Sequence, residues 1–434
     1  MFKDMIKLSE VFGTSRAVPK TYTTRISVDN RFVNDITRDK HIVIYGGSKQ
    51  GKTCLRKYHL KEEDYIVVQC TRETTKASLY EMLLKRSGVA CTVSQSVTVK
   101  GNTKLSVTVG GEIKLPFVAK GSSEGTGELG RETERTTDRT SFEIDPEDPN
   151  DITRVLEAAR FGKYIVIEDF HYLDEDIQRA FSVDLKVFHE ISNLVFIIVG
   201  VWLESSKLTV YNGDLGGRLA TINADEWLPD ELKNVITTGE KFLNISFPDE
   251  VHLAIAEGCQ GNVGLLQEIC YRICEKYNVW NRQDFKCCIG QLSDVQEMLR
   301  SISSEQAARY RNFLGKFSEG LGETQLKMYQ WIAYVVIEAS SEELRRGLRP
   351  NTIFQRIRAV HPSRDNLQQN NVTQALERVA KVQHKHGLQP FIFDYSNDEL
   401  IVVDVNFIVY LQNQPHDDLF RVIGVSPTNA EPDS

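Results

Sequence analysis

The sequence predicts an α/β fold in which helices cover both faces of a parallel β-sheet. The chain of 434 residues is long enough for two or three domains and a sizeable core. Four apolar runs have the composition of buried strands, and helical patterns alternate with them, which is the order typical of parallel sheets. The predicted strands are HIVIY (41–45), YIVVQC (65–70), KYIVIED (163–169), NLVFIIVG (193–200) and a shorter fifth, LNISF (243–247); the helical patterns include ASLYEMLLKR (77–86) and ITRVLEAAR (152–160). We expect an approach segment, residues 1–40, and then a sheet core, residues 41–248.

The stretch IYGGSKQGKTCL, residues 44–55, follows the first strand and contains a phosphate-binding motif. Gly46, four residues, Gly51, Lys52 and Thr53 match G-x-x-x-x-G-K-[ST] without a mismatch. Glycines let backbone N–H groups point inward, and a helix that begins near Lys52 directs its positive end at the phosphates. A chance glycine turn is the alternative, but the position between a predicted strand and a predicted helix favours a phosphate cradle.

Each residue of this motif has an expected role. Lys52 would neutralise the β- and γ-phosphates, and the Thr53 hydroxyl would hold Mg²⁺. The predicted nucleotide-binding residues of the loop are Gly46, Gly47, Ser48, Lys49, Gln50, Gly51, Lys52, Thr53 and Cys54.

The third predicted strand ends on two adjacent acids, Glu168 and Asp169, in YIVIEDFHYLDED. The carboxyl end of this strand should lie beside the phosphate loop. One acid would then reach the Mg²⁺ shell, and the other would reach a water placed to attack the γ-phosphate. The alternative is the solvated start of a loop. With the phosphate loop upstream, the pair favours nucleotide hydrolysis.

An insertion, residues 91–141, interrupts the alternation of strands and helices. Between residues 91 and 115 apolar residues alternate with polar ones around a turn at 100–102, which predicts a β-hairpin. The alternating apolar residues are Val97, Val99, Leu105, Val107 and Val109. Residues 119–140 are rich in Gly, Ser, Thr and charge, so we expect them to be mobile.

Behind the sheet core the sequence predicts two further parts. Residues 249–315 have apolar residues at helical spacing around a glycine-rich bend at 258–264, which indicates a helical lid. Residues 316–412 have the element order of a winged helix, and the polar tail 413–434 is expected to be frayed. The predicted elements of that last block are helices 326–339, 351–360 and 371–386, then the strands PFIFDY and ELIVVD joined by a turn at 396–398.

Together these features resemble the AAA+ and STAND-type signal-transduction ATPases. The resemblance covers residues 20–412 and rests on the loop at 46–53, the acids at 168–169, GVW at 200–202, GNVGLL at 261–266 and the winged-helix order. Archaeal origin-recognition ATPases and the ATPase subunits of transposition systems share that layout. The resemblance implies a P-loop NTPase core with a hairpin insertion, a helical lid and a C-terminal winged helix. Of these motifs only the phosphate loop is highly specific.

The resemblance also implies ATP and Mg²⁺ as cofactors and assigns roles to the two acids. Glu168 falls where the family has its Mg²⁺-shell acid, and Asp169 falls where it has the acid that activates water. The family usually has Asp-Asp or Asp-Glu at these positions, whereas this chain has Glu-Asp. Because the Asp169 side chain is shorter than that of a glutamate, its carboxylate reaches less far toward the attacking water, so we expect slow hydrolysis.

Three further positions bear on the subfamily. YTTRISVDNRF resembles the STAND segment in which an arginine approaches the adenine, so Arg25 is the candidate, with a surface arginine as the alternative. Gly264 occupies the place of the AAA+ lid arginine, and no arginine follows until Arg272, which favours STAND proteins. Against this, Arg218 lies between the fourth and fifth predicted strands, where AAA+ rings present an arginine finger to a neighbour. An ordinary surface arginine is again the alternative.

The charge distribution suggests one local DNA-binding region. The formal net charge of −8 gives the whole chain no electrostatic footprint for nucleic acid or an anionic membrane. Residues 341–390, however, contain nine Arg and Lys against four acids, a net +5. Such a segment suits a winged helix that lays residues 371–386 on duplex DNA, although many winged helices dock only proteins. On the third helix Val372, Leu376 and Val379 share one stripe, which we interpret as its core face.

The eight cysteines include no C-x-x-C pair. We interpret them as small apolar side chains in a reducing compartment, with a metal site near Cys259, Cys270 and Cys274 as the alternative. The first residues lack the apolar core of a signal peptide, and no run reaches the length of a membrane span, so we expect a cytoplasmic protein.

The leading hypothesis is an ATP-driven switch. The chain has no nuclease, TIR-like or protease motif, so we expect it to regulate a separate effector protein. A setting in bacterial antiviral defence or mobile-element control follows from the resemblance alone. The rival hypothesis is a self-assembling DNA-binding loader or regulator, and a small-molecule kinase is a weaker third. The preference for adenine over guanine is left open by the sequence.

Overall fold

The central sheet has five strands, and each neighbouring pair is parallel. A computed structural model describes residues 6–13, 17–92, 104–109, 140–201, 207–225, 227–322, 325–388 and 390–425. The strands are β1 (His41–Tyr45), β2 (Tyr65–Gln69), β3 (Ala90–Thr92), β4 (Leu105–Val109), β5 (Thr140–Ile144), β6 (Tyr164–Glu168), β7 (Phe196–Val199), β8 (Leu219–Asn223), β9 (Ile245–Ser246), β10 (Cys287–Cys288), β11 (Phe393–Ser396) and β12 (Glu399–Val402). The order in the central sheet is β2-β6-β7-β1-β8, so the strand that leads into the phosphate loop lies between β7 and β8.

Helices cover the sheet and continue through the region behind it. Those up to the end of the sheet core are α1 (Leu8–Val11), α2 (Ile26–Ile36), α3 (Lys52–His59), α4 (Lys76–Arg86), α5 (Pro149–Ala158), α6 (Glu175–Ile191), α7 (Lys207–Tyr211) and α8 (Pro229–Leu243). Those that follow are α9 (Asp249–Gly258), α10 (Val263–Lys276), α11 (Leu292–Glu305), α12 (Ala307–Glu319), α13 (Met328–Glu338), α14 (Ser341–Arg346), α15 (Pro350–Val360), α16 (Gln369–Leu376), α17 (Val379–Lys385), α18 (Val405–Gln412) and α19 (His416–Ile423).

The sheet is buried on both faces, as the continuous apolar runs predict. Successive residues of a strand point to opposite faces. In β1, Val43 packs into one apolar cluster with α4, α5 and α6, whereas Ile42 and Ile44 pack into a second cluster with Phe32 of α2 and Leu55 of α3. The predicted α/β fold with a doubly covered parallel sheet is confirmed.

The predicted fifth strand is wrong. The fifth strand of the sheet is β8, and LNISF contributes only β9, which pairs with β10 in a separate two-stranded sheet. β8 is an edge strand that buries only alternate residues, Ala220 and Ile222, so its sequence has no long apolar run. This error hid the residues that follow β8, which belong to the candidate site described below.

The insertion forms a three-stranded antiparallel sheet, β3-β4-β5. The predicted strand at 105–109 is present as β4, and it pairs with β3, with Cys91 opposite Val107. Val97 and Val99, the predicted turn at 100–102 and residues 119–139 lie outside the described residues.

The helical region behind the sheet is less regular than predicted. Residues 249–276 form α9 and α10 around the expected glycine-rich bend, but residues 277–291 are not helical and include β10. Within the described residues no helix combines the length and the hydrophobicity that crossing a bilayer requires.

The C-terminal block has the predicted order of helices followed by an antiparallel hairpin, β11 and β12. The predicted third helix is not continuous, because α16 ends at Leu376 and α17 begins at Val379. Those two residues and Val372 are fully buried, as expected for a core face. The assignment as a winged helix stays a prediction. The tail was expected to be frayed from residue 413, but α19 packs its apolar face into the core of this block.

Candidate nucleotide-binding site

The phosphate-binding loop lies at the carboxyl end of β1 and leads directly into α3. Its two motif glycines have positive φ angles, 136° at Gly46 and 83° at Gly51, which residues with a side chain rarely adopt. A Cβ atom on Gly46 would also lie 2.9 Å from Oδ1 of Asp225. Gly51 is the N-cap of α3, so the first turn of that helix directs its backbone N–H groups into the loop. The predicted strand, loop and helix are therefore all present.

Lys52 lies at the centre of this loop. Its ammonium donates to the carbonyl oxygen of Gly46 at 2.9 Å and to that of Gly47. Burial lowers the pKa of Lys52 to about 8, although the nearby carboxylates of Asp225, Glu168 and Asp169 favour its charged form. The lysine is thus a poorly solvated cation that the loop carbonyls hold in place, and phosphate oxygens would be stronger acceptors.

Asp225 is a part of the site that the sequence analysis missed. Both of its carboxylate oxygens accept from the backbone N–H of Gly47 at 2.8 Å. Burial raises the pKa of this carboxyl, while the Gly47 N–H and the Lys52 ammonium oppose the change. Asp225 follows β8 by two residues, and the carboxyl end of a parallel strand is where such a group is expected. A correct assignment of the fifth strand would have found it.

A cavity of about 240 Å³ adjoins the loop on the side of the N-terminal segment. Besides loop residues, its lining includes Thr21, Tyr22, Thr23, Arg25, Trp227, Val235, Val263 and Gln267. Arg25, the predicted adenine-side arginine, is only 1% exposed. Its Nη1 donates to the carbonyl oxygen of Ala224 at 2.7 Å, and its guanidinium lies 4.2 Å from the ring centre of Trp227. Arg25 therefore forms part of the cavity wall and is not a surface arginine.

The side-chain amide of Gln267 is fixed in one orientation by a chain of hydrogen bonds. The Thr21 hydroxyl donates its single proton to the carbonyl oxygen of Val11 at 2.7 Å. It must therefore accept the bond from Nε2 of Gln267, also at 2.7 Å. Oε1 of Gln267 is left as a buried acceptor that has no partner among the described residues. Nη2 of Arg25 and Nε1 of Trp227 are buried donors without a described partner. A nucleotide base that offers an amino group as donor and ring nitrogens as acceptors fits these three buried atoms.

The helical region contacts the loop directly. Asn262 caps α10 through Oδ1, which accepts from the N–H of Leu265, and its Nδ2 donates to the carbonyl oxygen of Ser48 at 3.0 Å. The N–H of Gly264 donates to the carbonyl oxygen of Lys49 at 3.1 Å. A Cβ atom on Gly264 would lie 2.5 Å from Cβ of Lys49, so only glycine permits this approach.

Arg272, the first arginine after Gly264, takes no part in that contact. It forms ion pairs with Glu268 and Glu305 on α10 and α11.

The two predicted acids lie where β6 ends, beside the loop. Oε1 of Glu168 accepts from Nη2 of Arg56 at 2.9 Å. Asp169 has a φ angle of 56°, and its carboxylate accepts from the side-chain amide of Gln69. Burial raises the pKa of Asp169. Both acids and Thr53 line one space of about 510 Å³. These oxygen groups fit Mg²⁺, which usually takes only one or two carboxylates from a protein and completes its shell with water and phosphate.

Arg218 lies at the other end of the sheet. It directly precedes β8, and its carbonyl oxygen accepts from the N–H of His41, where β1 begins. Its guanidinium pairs with Glu190 at 3.0 Å. Arg218 is therefore remote from the phosphate loop of its own chain, and a role as an arginine finger requires a second copy.

The cysteines are free thiols, and Cys259, Cys270 and Cys274 are buried. Across the described ranges, no group of three or more His, Cys, Asp and Glu side chains is arranged to hold a metal ion.

The C-terminal block also approaches the loop. The carbonyl oxygen of Val403 lies 3.3 Å from the position of a Cβ atom on Gly47. Nη2 of Arg345 lies 2.8 Å from the corresponding position on Gly261, in the turn between α9 and α10. The loop is thus in contact with the sheet core, the helical region and the C-terminal block.

Comparisons with known proteins return only distant structural likenesses. No family model matches the chain, and no curated protein matches it. Among solved structures, a Walker-type ATPase of Pyrococcus abyssi is 11% identical, with 93% of this chain and 99% of that chain covered and a TM-score of 0.45. The Aeropyrum pernix ORC1 protein, solved in complex with DNA, is 12% identical, with 96% and 98% covered and a TM-score of 0.44. The Thermotoga maritima RuvB Holliday junction branch migration motor is 11% identical, with 86% and 89% covered and a TM-score of 0.36.

Identities of 11–12% and TM-scores below 0.5 are too low to assign a family or to transfer a function. The order of the parallel sheet in this chain confirms the predicted α/β fold, and residues 46–51 form the loop between β1 and α3 that the motif predicts.

Proposed function

We propose that this chain binds ATP with Mg²⁺ and hydrolyses it slowly, as a nucleotide-dependent switch. The observation that supports this most is the position of Lys52, buried among loop carbonyls and close to the two acids that end β6. A buried ammonium with a lowered pKa gains more from a polyphosphate than an exposed lysine would, because little water has to be displaced.

Each residue at the phosphate end has a proposed task. The Lys52 ammonium exchanges its loop carbonyls for oxygens of the β- and γ-phosphates. Thr53 and Glu168 hold Mg²⁺, which supplies charge neutralisation at the phosphates when it is bound. Asp169, whose raised pKa reflects partial burial, orients the attacking water and accepts its proton. Gln69 holds the Asp169 carboxylate in place until that step.

The opposite end of the cavity favours adenine over guanine. Adenine presents its 6-amino donor next to a ring-nitrogen acceptor on both of its hydrogen-bonding edges. The acceptor Oε1 of Gln267 and the donors of Arg25 and Trp227 complement that combination. Guanine has a carbonyl oxygen at the same place, and an oxygen facing the fixed Oε1 of Gln267 would leave both acceptors without a proton.

The contacts of the loop with its neighbours support a role as a switch. Lys49 and Ser48 carry hydrogen bonds from α10 and its cap, and Gly47 lies against Val403. ATP and ADP would move α10 and the C-terminal block differently only if the two nucleotides made different contacts. The loop touches both of these neighbours, so a change in the loop would reach both. The proposal extends to a separate effector protein and a role in antiviral defence or mobile-element control, which rest on the sequence resemblance. It also includes a cytoplasmic setting, because no apolar run of the sequence reaches the length of a membrane span.

Binding to duplex DNA through residues 341–390 is the second candidate. It is favoured by basic side chains that are exposed and take part in no described ion pair, namely Arg358, Arg364, Arg378 and Lys381. Other basic residues of the segment are neutralised locally, as Arg356 is by Glu343 and Arg349 by Glu399. Self-assembly through Arg218 belongs to this candidate, because the finger would have to leave Glu190 for a neighbour's phosphates.

The deciding experiment is the steady-state ATPase rate of the full chain, with and without duplex DNA, at low salt. Lys52→Ala serves as the blank. A slow rate that DNA leaves unchanged supports the switch. Stimulation by DNA that is lost in an Arg358→Ala and Lys381→Ala double variant supports the DNA-binding regulator instead. A rate equal to that of Lys52→Ala under both conditions would contradict both candidates.

A further inference from the structure

Arg56 is a buried arginine one turn along α3 from Lys52. It is 2% exposed, and its Nη2 lies 2.9 Å from Oε1 of Glu168. The guanidinium also lies 4.4 Å from the ring centre of Tyr65. Its Nε and Nη1 have no hydrogen-bond partner among the described residues. A buried arginine with one carboxylate partner is costly unless that partner stays in place, so the two charges depend on each other.

This ion pair occupies the carboxylate that the proposed function gives to Mg²⁺. Arg56 and Mg²⁺ would share the charge of Glu168, so the carboxylate can contact the metal and yet add little net attraction to it. While Arg56 holds it, Glu168 presents little net charge to the phosphates, even when no metal is present. Without Arg56, a buried and uncompensated carboxylate would face the polyphosphate.

We propose that Arg56 is a positioning residue that neutralises Glu168 and so makes nucleotide binding by this chain only weakly dependent on Mg²⁺. The proposal rests on the proposed nucleotide binding and adds a rule for its metal dependence. It assigns no chemical step to Arg56. The arginine acts through Glu168, and it changes the ratio between the nucleotide affinity measured with Mg²⁺ and the affinity measured without it.

The test is the dissociation constant of ADP for the full-length protein, measured by calorimetry with Mg²⁺ and again with EDTA. The ratio of the EDTA value to the Mg²⁺ value is the quantity of interest. Arg56→Gln should raise this ratio about tenfold or more, because Glu168 then repels the metal-free nucleotide and is free for Mg²⁺. A purely structural arginine would change both constants by the same factor and leave the ratio unchanged, and that result would overturn the proposal.

A second variant covers the case in which Arg56→Gln does not fold. The double variant Arg56→Gln and Glu168→Gln replaces the ion pair by two neutral amides, which buried sites tolerate better than one unpaired charge. Its ratio should stay within about threefold of the wild-type ratio, because Glu168 is already neutralised in the wild type. A tenfold fall in this ratio would show that Glu168 in the wild type binds Mg²⁺ without interference from Arg56, and would overturn the proposal.

Failure of the proposal and failure of the proposed function are distinguishable. If the wild type binds neither ADP nor ATP under either condition, the proposed function fails. If it binds both and the Arg56 variants leave the ratio unchanged, only the role of Arg56 fails. Arg56→Lys, which keeps a positive charge at the position, should keep the ratio closer to that of the wild type than Arg56→Gln does.

Discussion

The two ends of the candidate nucleotide site are built on different physical principles. The phosphate end consists of backbone groups, one buried ammonium and three carboxylates, so it responds to charge and not to the shape of a base. The base end is formed by apolar and aromatic surface with a few buried polar atoms of fixed orientation. Binding strength should therefore come mostly from the first end, and discrimination between nucleotides from the second.

The largest effect is expected from a substitution at the phosphate end, which should act on all nucleotides alike. Lys52→Ala removes the buried cation that the loop carbonyls hold, and should weaken ATP and GTP binding equally, by about 100-fold or more. Calorimetric titration measures both affinities. Lys61→Ala, on an exposed lysine after α3, is the matched control and should change neither. Loss of ATP binding with retained GTP binding would show that Lys52 does not act at the phosphate end.

Hydrolysis should be separable from binding within the phosphate end. Asp169→Asn keeps the size of the side chain but removes its basicity, so turnover should fall about 100-fold while the ATP affinity changes little. Single-turnover hydrolysis and equilibrium binding give the two quantities. Asp176→Asn, on the exposed face of α6, is the control. Hydrolysis by Asp169→Asn at the wild-type rate would mean that another group accepts the proton.

A substitution of Gln267 at the base end should change the preference between nucleotides. Gln267→Leu removes the fixed acceptor, so the preference for ATP over GTP should shrink by about tenfold. Competition between the two nucleotides measures this preference directly. Gln355→Leu, on an exposed position of α15, should leave it unchanged. An unaltered preference in Gln267→Leu would place base discrimination elsewhere in the cavity.

The smallest effect is a pH dependence that originates at the phosphate end. Lys52 in the free protein has a pKa of about 8, and the carboxylates that face it are Asp225, Glu168 and Asp169. Bound phosphates add negative charge and raise that pKa, so the complex keeps a proton that the free protein loses above pH 8. The affinity should be level below pH 8 and fall by less than about tenfold between pH 8 and pH 9. Calorimetry between pH 7 and pH 9 tests this, and a flat profile would contradict the assigned protonation.

The same division explains which residues the sequence could predict. The phosphate loop is one continuous segment whose spacing is fixed by its geometry, so Gly46 to Thr53 could be identified directly, as could the acids that end an obvious strand. The base end is assembled from three distant segments, and Thr21 and Gln267 meet only because the chain folds. Asp225 was missed because β8 is an edge strand with a short apolar pattern. The partnership of Arg56 with Glu168 could not be read from residues 112 positions apart.

Gly47 has a mechanical consequence that its place in the motif does not suggest. Its N–H donates to Asp225, and the carbonyl oxygen of Val403 lies 3.3 Å from the position that a Cβ atom would take. Gly47 therefore lies between the sheet core and the C-terminal block, and the absence of a side chain leaves room for both contacts. A methyl group in place of the hydrogen would crowd the Val403 carbonyl, so one of the two parts would have to move by a few tenths of an ångström. A single carbon atom there would hold the two parts slightly apart, whichever nucleotide is bound.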